Sequence, residues 1–491
     1  MASNTHSGYC AVIGLEVHAQ LALKRKVFSP EGVEYGALPN TKVSLITLAH
    51  PGTLPRVNPL AIAYTIKMGL ACKSTIAHEV IFERKNYFYP DLPKGYQITQ
   101  GAVPLCRGGA ITIDTPDIGE KAIALARIHL EEDTGKSLHG LTPGKSLLDF
   151  NRAGVALIEI VTQPVLTTSQ EAYHFLSELR KLVRYLDICD GNMEEGSLRC
   201  DANISVMPRG ATTLGQRVEV KNMNSMRNVQ LAIDYEIQRQ ITRLVQGETI
   251  IAETRTYKAD TQQTYPMRAK EEAKDYRYFP DPDFPVMRLP TAWVEQLQHD
   301  LPLLPRTYYK KLREVYKLPT YDALVLTEDR ATAMYFEALC QLTTHYKAAS
   351  NWLMGPVKSY LNAHTLSIDE FPLAAATLAA LIALVVEGKL SFSVAVQRLY
   401  PALLNQPHSS PLTLAKELDL LQEDDVTKIQ TLIDEVINMY PSQVTAYCSG
   451  KKGIIGMLMG EIMKKSHGKV SPQKAKVLLH QCLDALANDG T

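Results

Sequence analysis

Neither sign of charge dominates this sequence: Lys and Arg number 52, Asp and Glu number 52, and the formal net charge is zero. No global field draws polyanions to the whole molecule, so any nucleic-acid contact must come from a local basic patch. Cysteine is scattered. Cys10, Cys72, Cys106, Cys189, Cys200, Cys340, Cys448 and Cys482 form no C-x-x-C pair, and the spacing signals neither a zinc site nor a disulfide framework. Long apolar runs are missing too. The longest, Leu373 to Val386, is too short to cross a bilayer. The opening MASNTHSGYC has no basic segment followed by an apolar one. A soluble protein of the reducing cytoplasm, with no membrane contact, is therefore expected.

Two familiar signatures are also lacking. Gly135-Lys136-Ser137 and Gly144-Lys145-Ser146 imitate the end of a P-loop, but Leu130 and His139 stand where its first glycine belongs. Any ATP site must be of another kind. No G-x-S-x-G elbow marks a hydrolase.

What is present suits a large folded chain. With 491 residues, 45% hydrophobic and 21% charged, two or three domains with real cores are expected. Residues 8 to about 290 mix strand and helix signals, and the remainder is almost wholly helical. Breaks fall at Leu301-Pro302-Leu303-Leu304-Pro305 and at the polar stretch from Asn405 to Pro411. No solenoid-length repeat occurs. The clearest early helix starts at Thr168, where Thr168-Ser169-Gln170-Glu171 reads as a capping box. Ala172, Phe175, Leu176, Leu179, Leu182, Val183 and Leu186 follow as one apolar stripe, which is scaffold.

Four segments alternate with period two. In the first, Glu16, His18 and Gln20 share one face and Leu15, Val17, Ala19 and Leu21 the other. Arg127, His129 and Glu131 group likewise, as do Arg199, Asp201 and Asn203, and Arg217, Glu219 and Lys221. The plain reading is an antiparallel sheet with one solvated face. Solvated faces more often carry Thr, Ser, Lys and Glu, whereas recurring His and Asn among acids favour a functional concave face. If Glu16, Glu131, Glu132 and Asp201 converge, two carboxylates about 4 Å apart repel by roughly 4 kcal/mol at an effective dielectric of about 20. Such a cluster needs a cation or holds a proton. Oxygen ligands favour magnesium, for which His18 is a less natural ligand than a hydrogen-bonding neighbour; manganese would accept it.

Two loops stand out. The stretch from Arg84 to Tyr96 sets Tyr87, Phe88, Tyr89 and Tyr96 among Arg84, Lys85 and Lys94. It reads either as a buried aromatic corner or as a surface that stacks a base or grips phosphate. Gly191 to Ser197 reads as a turn into the Arg199 strand, its Glu pair solvated.

These segments are the ones by which the chain resembles the B subunit of the tRNA-dependent amidotransferases. IGLEVHAQL (13–21), ERKNYFYPDLPKGYQITQ (83–100), RIHLEEDTGKSLH (127–139), DFNRAGVALIEIV (149–161), GNMEEGSLRCDANISV (191–206), VKNMNSMRNV (220–229), KDYRYFPDPD (274–283), NWLMG (351–355) and GKKGIIGMLMGEIMKKSHGKVSP (450–472) carry it nearly end to end.

The resemblance implies an α+β protein. A cradle domain at 1–295, built on a mainly antiparallel sheet, precedes an all-helical domain at 296–410 and a small helical tail domain at 411–491. It implies an enzyme that spends ATP to phosphorylate the side-chain carboxylate of Glu or Asp esterified to tRNA. Ammonia from an amidase A subunit then displaces phosphate, and a small C subunit completes the heterotrimer. A non-enzymatic tRNA-binding subunit and a ligase acting on free glutamate are the alternatives. The resemblance places metal, expected as Mg2+, at Glu16, His18, Glu131 and Glu132. Lys85, Arg152 and Arg199 would face phosphate or the substrate carboxylate, and Asp201 and Glu159 would support or bridge metal. Lys85, Asn86, Arg199 and Asn203 would bind nucleotide, with Asn86 and Asn203 also candidates to orient the tRNA 3′ end. Some members hold zinc through Cys near residues 29 and 47; here those loops read Val27-Phe28-Ser29-Pro30 and Leu45-Ile46-Thr47-Leu48, so no zinc is expected and hydrogen bonds should hold them.

The tail is expected to grip tRNA through Lys451, Lys452, Lys464, Lys465 and Lys469. Residues 441–491 hold seven lysines against Glu461, Asp484 and Asp489, a net of +4. Helix signals run from Gly453 to Lys465 and restart at Ser471-Pro472, with Met457, Leu458, Ile462 and Met463 as the apolar face.

Overall fold

The computed structural model describes residues 8–115, 119–269, 275–422, 426–466 and 470–489. The chain forms two compact units, Met1–Pro305 and Arg306–Thr491. The first is built on a mixed, mainly antiparallel sheet and the second is helical, an α+β protein as expected.

The first unit's sheet takes its centre from strands far apart in the chain. These are β1 (Tyr9–Gln20), β4 (Gly119–Glu132), β5 (Ala156–Thr162), β6 (Leu198–Pro208) and β7 (Val218–Met223). A hairpin of β2 (Glu83–Asn86) and β3 (Tyr96–Thr99) belongs to a separate small sheet. The main sheet runs β7–β6–β1–β5–β4 through its middle, every neighbour antiparallel. It continues beyond β7 into β8 (Glu253–Lys258), which pairs parallel to β7, and β9 (Gln263–Ala269).

Period-two patterning sets which face is which. Ile13, Leu15, Val17 and Ala19 of β1 are at most 1% exposed. They join one core with α1 (Pro59–Ala71), α2 (Ser169–Tyr185) and α3 (Met226–Val245), through Ile66, Phe175, Leu179, Val229 and Ile233 among others. Each of the Val, Leu, Ile and Phe side chains contributes roughly 1.5–3 kcal/mol by leaving water. A one-residue slip of β1 would turn this apolar set outward. Thr168 caps α2 by accepting from the Glu171 N–H at 3.1 Å. Glu171 reaches back one residue further than a capping box requires, to the Thr167 N–H at 2.7 Å, and also pairs with Lys121 at 2.7 Å.

In the second unit, helices Val426–Met439, Pro441–Cys448, Ile455–Lys465 and Pro472–Asp489 share an apolar core of their own. The expected apolar face is corrected by the packing. Leu458 and Ile462 are buried, while Met457 is 40% exposed. The stripe runs through Ile455, Leu458, Met459 and Ile462, the three- and four-residue spacing of a single helix face.

Candidate active site on the sheet face

The face of the central strands opposite the α2–α3 core gathers the charged residues. Antiparallel register puts His18 between Glu159 and Arg199, and Glu16 between Val161 and Asp201. It sets Glu159 against His129, and Leu157 against Glu131. Residues directly opposed across such a ladder share a face, so all four alternating segments present their polar sides together.

Two acid groups result. In the first, His18 Nε2 lies 3.4 Å from Glu131 Oε1 and 3.5 Å from Glu159 Oε2. His129 Nε2 approaches the same pair, at 3.5 Å from Glu159 and 3.8 Å from Glu131. Burial alone would lower the His18 pKa; Glu131 and Glu159 outweigh it and raise it to about 10. Burial would likewise raise Glu131, but His129 and His18 hold it well below the usual carboxylate range. Glu159 is held down in the same way, chiefly by His18.

The second group is Glu16, Asp201 and Glu219. Asn203 Nδ2 donates to Glu16 Oε1 at 2.9 Å. Lys221 pairs with Asp201 and, at 2.9 Å, with Glu219. Burial would lower the Lys221 pKa, yet the two carboxylates hold it above its ordinary value. Each group offers three ligand atoms within 4.8 Å of one another. Oxygen donors with one imidazole suit a hard or borderline divalent ion, so the residues fit the expected metal. A cavity of about 290 Å³ adjoins the second group, lined by Gly14, Thr162, Asn203, Ser205, Leu214 and Arg217 among others.

The expected quartet Glu16, His18, Glu131 and Glu132 does not gather at one point. Glu16 and His18 belong to different groups, and Glu132 to neither. Glu132 opposes Ala156, one residue out of phase with Glu131, so it points to the other side of β4. There it accepts the Ile98 N–H at 2.9 Å and pairs with Lys94. It lines a second cavity, of about 220 Å³, with Ser29, Thr47, His50, Lys94, Tyr96 and Asp133. Ser29 and Thr47 hydroxyls are 3.3 Å apart, and Thr47 donates to Glu31 at 3.2 Å.

Arg152 and Arg199 do come together, on Asp133. Arg199 Nη2 lies 2.9 Å and Arg152 Nε 3.3 Å from Asp133 Oδ2. Lys85 stands against aromatic rings, its Nζ 5.1 Å from the Tyr276 centroid and 5.9 Å from that of Tyr87. Asn86 spends its amide on the backbone, donating to Arg277 O at 2.8 Å and Tyr276 O at 3.3 Å. It clamps the 275–280 segment to the β2 end.

In the tail, Lys452 pairs with Asp484 at 3.2 Å, and Lys465 with Glu435. Lys451 and Lys464 have no ion-pair partner among the described residues. Lys469 and Lys274 lie outside the described residues.

Sequence reasoning passed over Asp133, His129 and Glu219 as site residues. The last two sit on the alternating faces already recognised. Asp133 follows the strand end and carries no periodic signal.

The chain matches the model of the GatB/GatE catalytic domain over residues 11–295. The chain belongs to the GatB/GatE family. A second model, the GatB domain, matches residues 334–483. A Salinibacter ruber relative, named as the B subunit of an aspartyl/glutamyl-tRNA(Asn/Gln) amidotransferase, is 45% identical over 97% of both chains. Relatives of the same name from Synechococcus sp. (strain JA-3-3Ab) and Nitrosococcus oceani are each 44% identical, over 97% and 96% of this chain and 98% and 99% of their own. The GatB/GatE catalytic match thus covers every residue of the two acid groups.

Proposed function

We propose that the chain is the ATP-dependent, carboxylate-activating subunit of a tRNA amidotransferase. It phosphorylates the side-chain carboxylate of Glu or Asp esterified to tRNA, and ammonia from an amidase partner subunit then displaces phosphate. The observation that supports this best is the pair of acid groups on one sheet face with cations around them. A carboxylate is a poor electrophile, and its acyl phosphate supplies a leaving group. Phosphoryl transfer is mostly positioning and charge stabilisation, and the face is equipped for both. Glu131 and Glu159 would hold one Mg2+, with His18 joining them only on giving up the proton it shares with the two carboxylates, and Glu16, Asp201 and Glu219 would hold a second. Bound there, magnesium would screen the charge of the phosphates. Arg199 and Arg152, aligned by Asp133, stand ready for the substrate carboxylate or the transferring phosphoryl group. Lys221 balances the second acid group, and the cavity beside Glu16 is the place assigned to the nucleoside, with Asn203 at its edge. Lys85 approaches from the aromatic loop.

The remaining assignments follow the same reading. The Ser29–Thr47–Glu31 hydrogen bonds take the place of a zinc clip. Residues 1–295 carry the chemistry, 296–410 form a helical domain and 411–491 a tRNA-gripping tail. The subunit works in the cytoplasm in a complex with an amidase and a small third subunit. Among the described residues no helix is long and apolar enough to cross a membrane.

The test is co-purification with an amidase partner followed by ATP-dependent transamidation of Glu-tRNA(Gln) and Asp-tRNA(Asn). Formation of Gln- or Asn-tRNA, lost on Glu16→Gln, supports the proposal. Full activity in Glu16→Gln, or turnover of free glutamate without tRNA, would overturn it.

A further inference from the structure

The basic-aromatic stretch divides into an inward and an outward half. Tyr87 and Tyr96 turn in. Tyr87 packs edge-on to Tyr276 with centroids 6.1 Å apart, and the Arg84 guanidinium lies 4.1 Å from the Tyr96 ring centroid. Phe88 and Tyr89 turn out, at 95% and 54% exposure. Their turn is braced by the backbone: Tyr87 N–H donates to Gly95 O at 3.1 Å, Leu92 N–H to Tyr89 O at 3.0 Å, and Gly95 N–H to Leu92 O at 3.0 Å. Gly95 adopts φ +72°, and a side chain there would meet the Phe88 ring at 4.0 Å. A phenyl ring held this far into water by a hydrogen-bonded turn forgoes the burial that phenylalanine ordinarily gains. That arrangement is expected of a surface waiting for a partner.

Its surroundings say which partner. Lys85 borders the turn against the Tyr87 and Tyr276 rings, Arg84 and Lys94 being paired with Asp281, Asp283 and Glu132, and exposed Tyr278 and Phe279 lie on the segment that Asn86 clamps to it. Rings interleaved with cations suit a single-stranded nucleic acid, whose bases stack while its phosphates are neutralised. The hairpin that carries the turn also reaches the acid face: the Thr99 hydroxyl of β3 donates to Glu131 Oε2 at 3.5 Å. An aminoacyl group brought to that face carries its ribose and terminal base with it.

We propose that Phe88, backed by Tyr89, is the stacking platform for the terminal nucleobase of the tRNA 3′ end. This rests on the amidotransferase reading. It adds a specificity element: the site recognises the base as a flat surface without reading its edges.

The probe is Glu-tRNA(Gln) carrying 2-aminopurine in place of its terminal adenine, offered to the complex with its amidase partner. Stacking quenches 2-aminopurine fluorescence. The expected result is quenching by the wild type, its loss in Phe88→Ala and its return in Phe88→Trp. The KM for aminoacyl-tRNA should rise roughly 5- to 150-fold in Phe88→Ala, the range for losing one base stack. An unchanged melting curve confirms that the variant is folded. Total tRNA binding, read by anisotropy of a label at the anticodon, separates the two levels. Wild-type binding without quenching, or a KM unaltered in Phe88→Ala, would overturn the platform alone. Absence of tRNA binding by the wild-type complex would overturn the amidotransferase reading and the platform with it.

Discussion

Glu131 and Glu132 are consecutive, yet their carboxylates lie on opposite sides of β4: Glu131 is 3.4 Å from His18, and Glu132 accepts the Ile98 N–H at 2.9 Å. Substitutions at the two positions should therefore fail differently. If Glu131 holds metal as proposed, Glu131→Gln is expected to lower amide formation by roughly 100-fold or more. Glu132→Gln leaves Lys94 without its counter-charge and is expected to cost about 1–3 kcal/mol of stability. Transamidation assays and denaturant melts of both variants check this. Matching stability losses would refute the division.

Asp133 aligns two arginines with a single carboxylate oxygen. Asp133→Asn should release both and lower kcat/KM for aminoacyl-tRNA about tenfold, equivalent to roughly 1.4 kcal/mol of transition-state stabilisation. Steady-state kinetics of Asp133→Asn beside Arg199→Ala and the double variant measure it. Fully additive losses would show that Asp133 does not act through Arg199.

Lys26 is 1% exposed, and its Nζ donates to Phe150 O at 3.4 Å. Burial lowers its pKa from 10.5 to about 8, against the opposing pull of Glu31 and Glu132. Below about pH 8 both folded and unfolded chains carry this proton, and the fold bears the penalty of a buried charge. Between about pH 8 and 10.5 only the unfolded chain keeps it, so this residue makes stability rise with pH across that window. Lys26→Met should abolish that rise and stabilise the protein at pH 7 by up to about 3 kcal/mol. Urea melts at pH 7, 8.5 and 10 decide it, and an unchanged slope in the variant would refute it.

In the tail, Lys452 is engaged by Asp484, while Lys451 and Lys464 have no ion-pair partner among the described residues. Lys451→Ala and Lys464→Ala should each flatten the log–log salt dependence of tRNA binding by about 0.9 unit. Deleting residues from about 417 onward should flatten it by about 3 units while tRNA-independent nucleotide binding survives. Salt titrations of tRNA affinity supply the slopes, and a truncated complex with the full-length slope would assign the tail another task.

The sequence revealed the charged face because alternation is a local property. Glu16, His18, Glu131 and Asp201 could be assigned to one side of their strands from spacing alone. Their partition into two groups could not, because it depends on register between strands more than a hundred residues apart, His18 against Glu159 and Glu16 against Asp201. Glu132 was misplaced for a related reason: two adjacent acids read as one cluster until strand alternation separates them. Asn86 shows a third limit. Its residue type suits substrate contact, but its amide is taken up by the carbonyls of Tyr276 and Arg277, which no local pattern announces.

The spread of the acid face along the chain also sets a birth order. His18 is made early, but its partners Glu131 and Glu159 arrive 113 and 141 residues later, and Glu219 completes the second group. At roughly 5–20 residues per second, a ribosome needs about 10–40 s to pass from residue 18 to residue 219. β1 has no neighbour until β5 is complete at Thr162, and it lacks β6 until Pro208. Until Pro208 the nascent chain therefore keeps at least one edge of an alternating strand unpaired, an edge open to non-native pairing. Premature termination anywhere in this span leaves a fragment without the completed acid face.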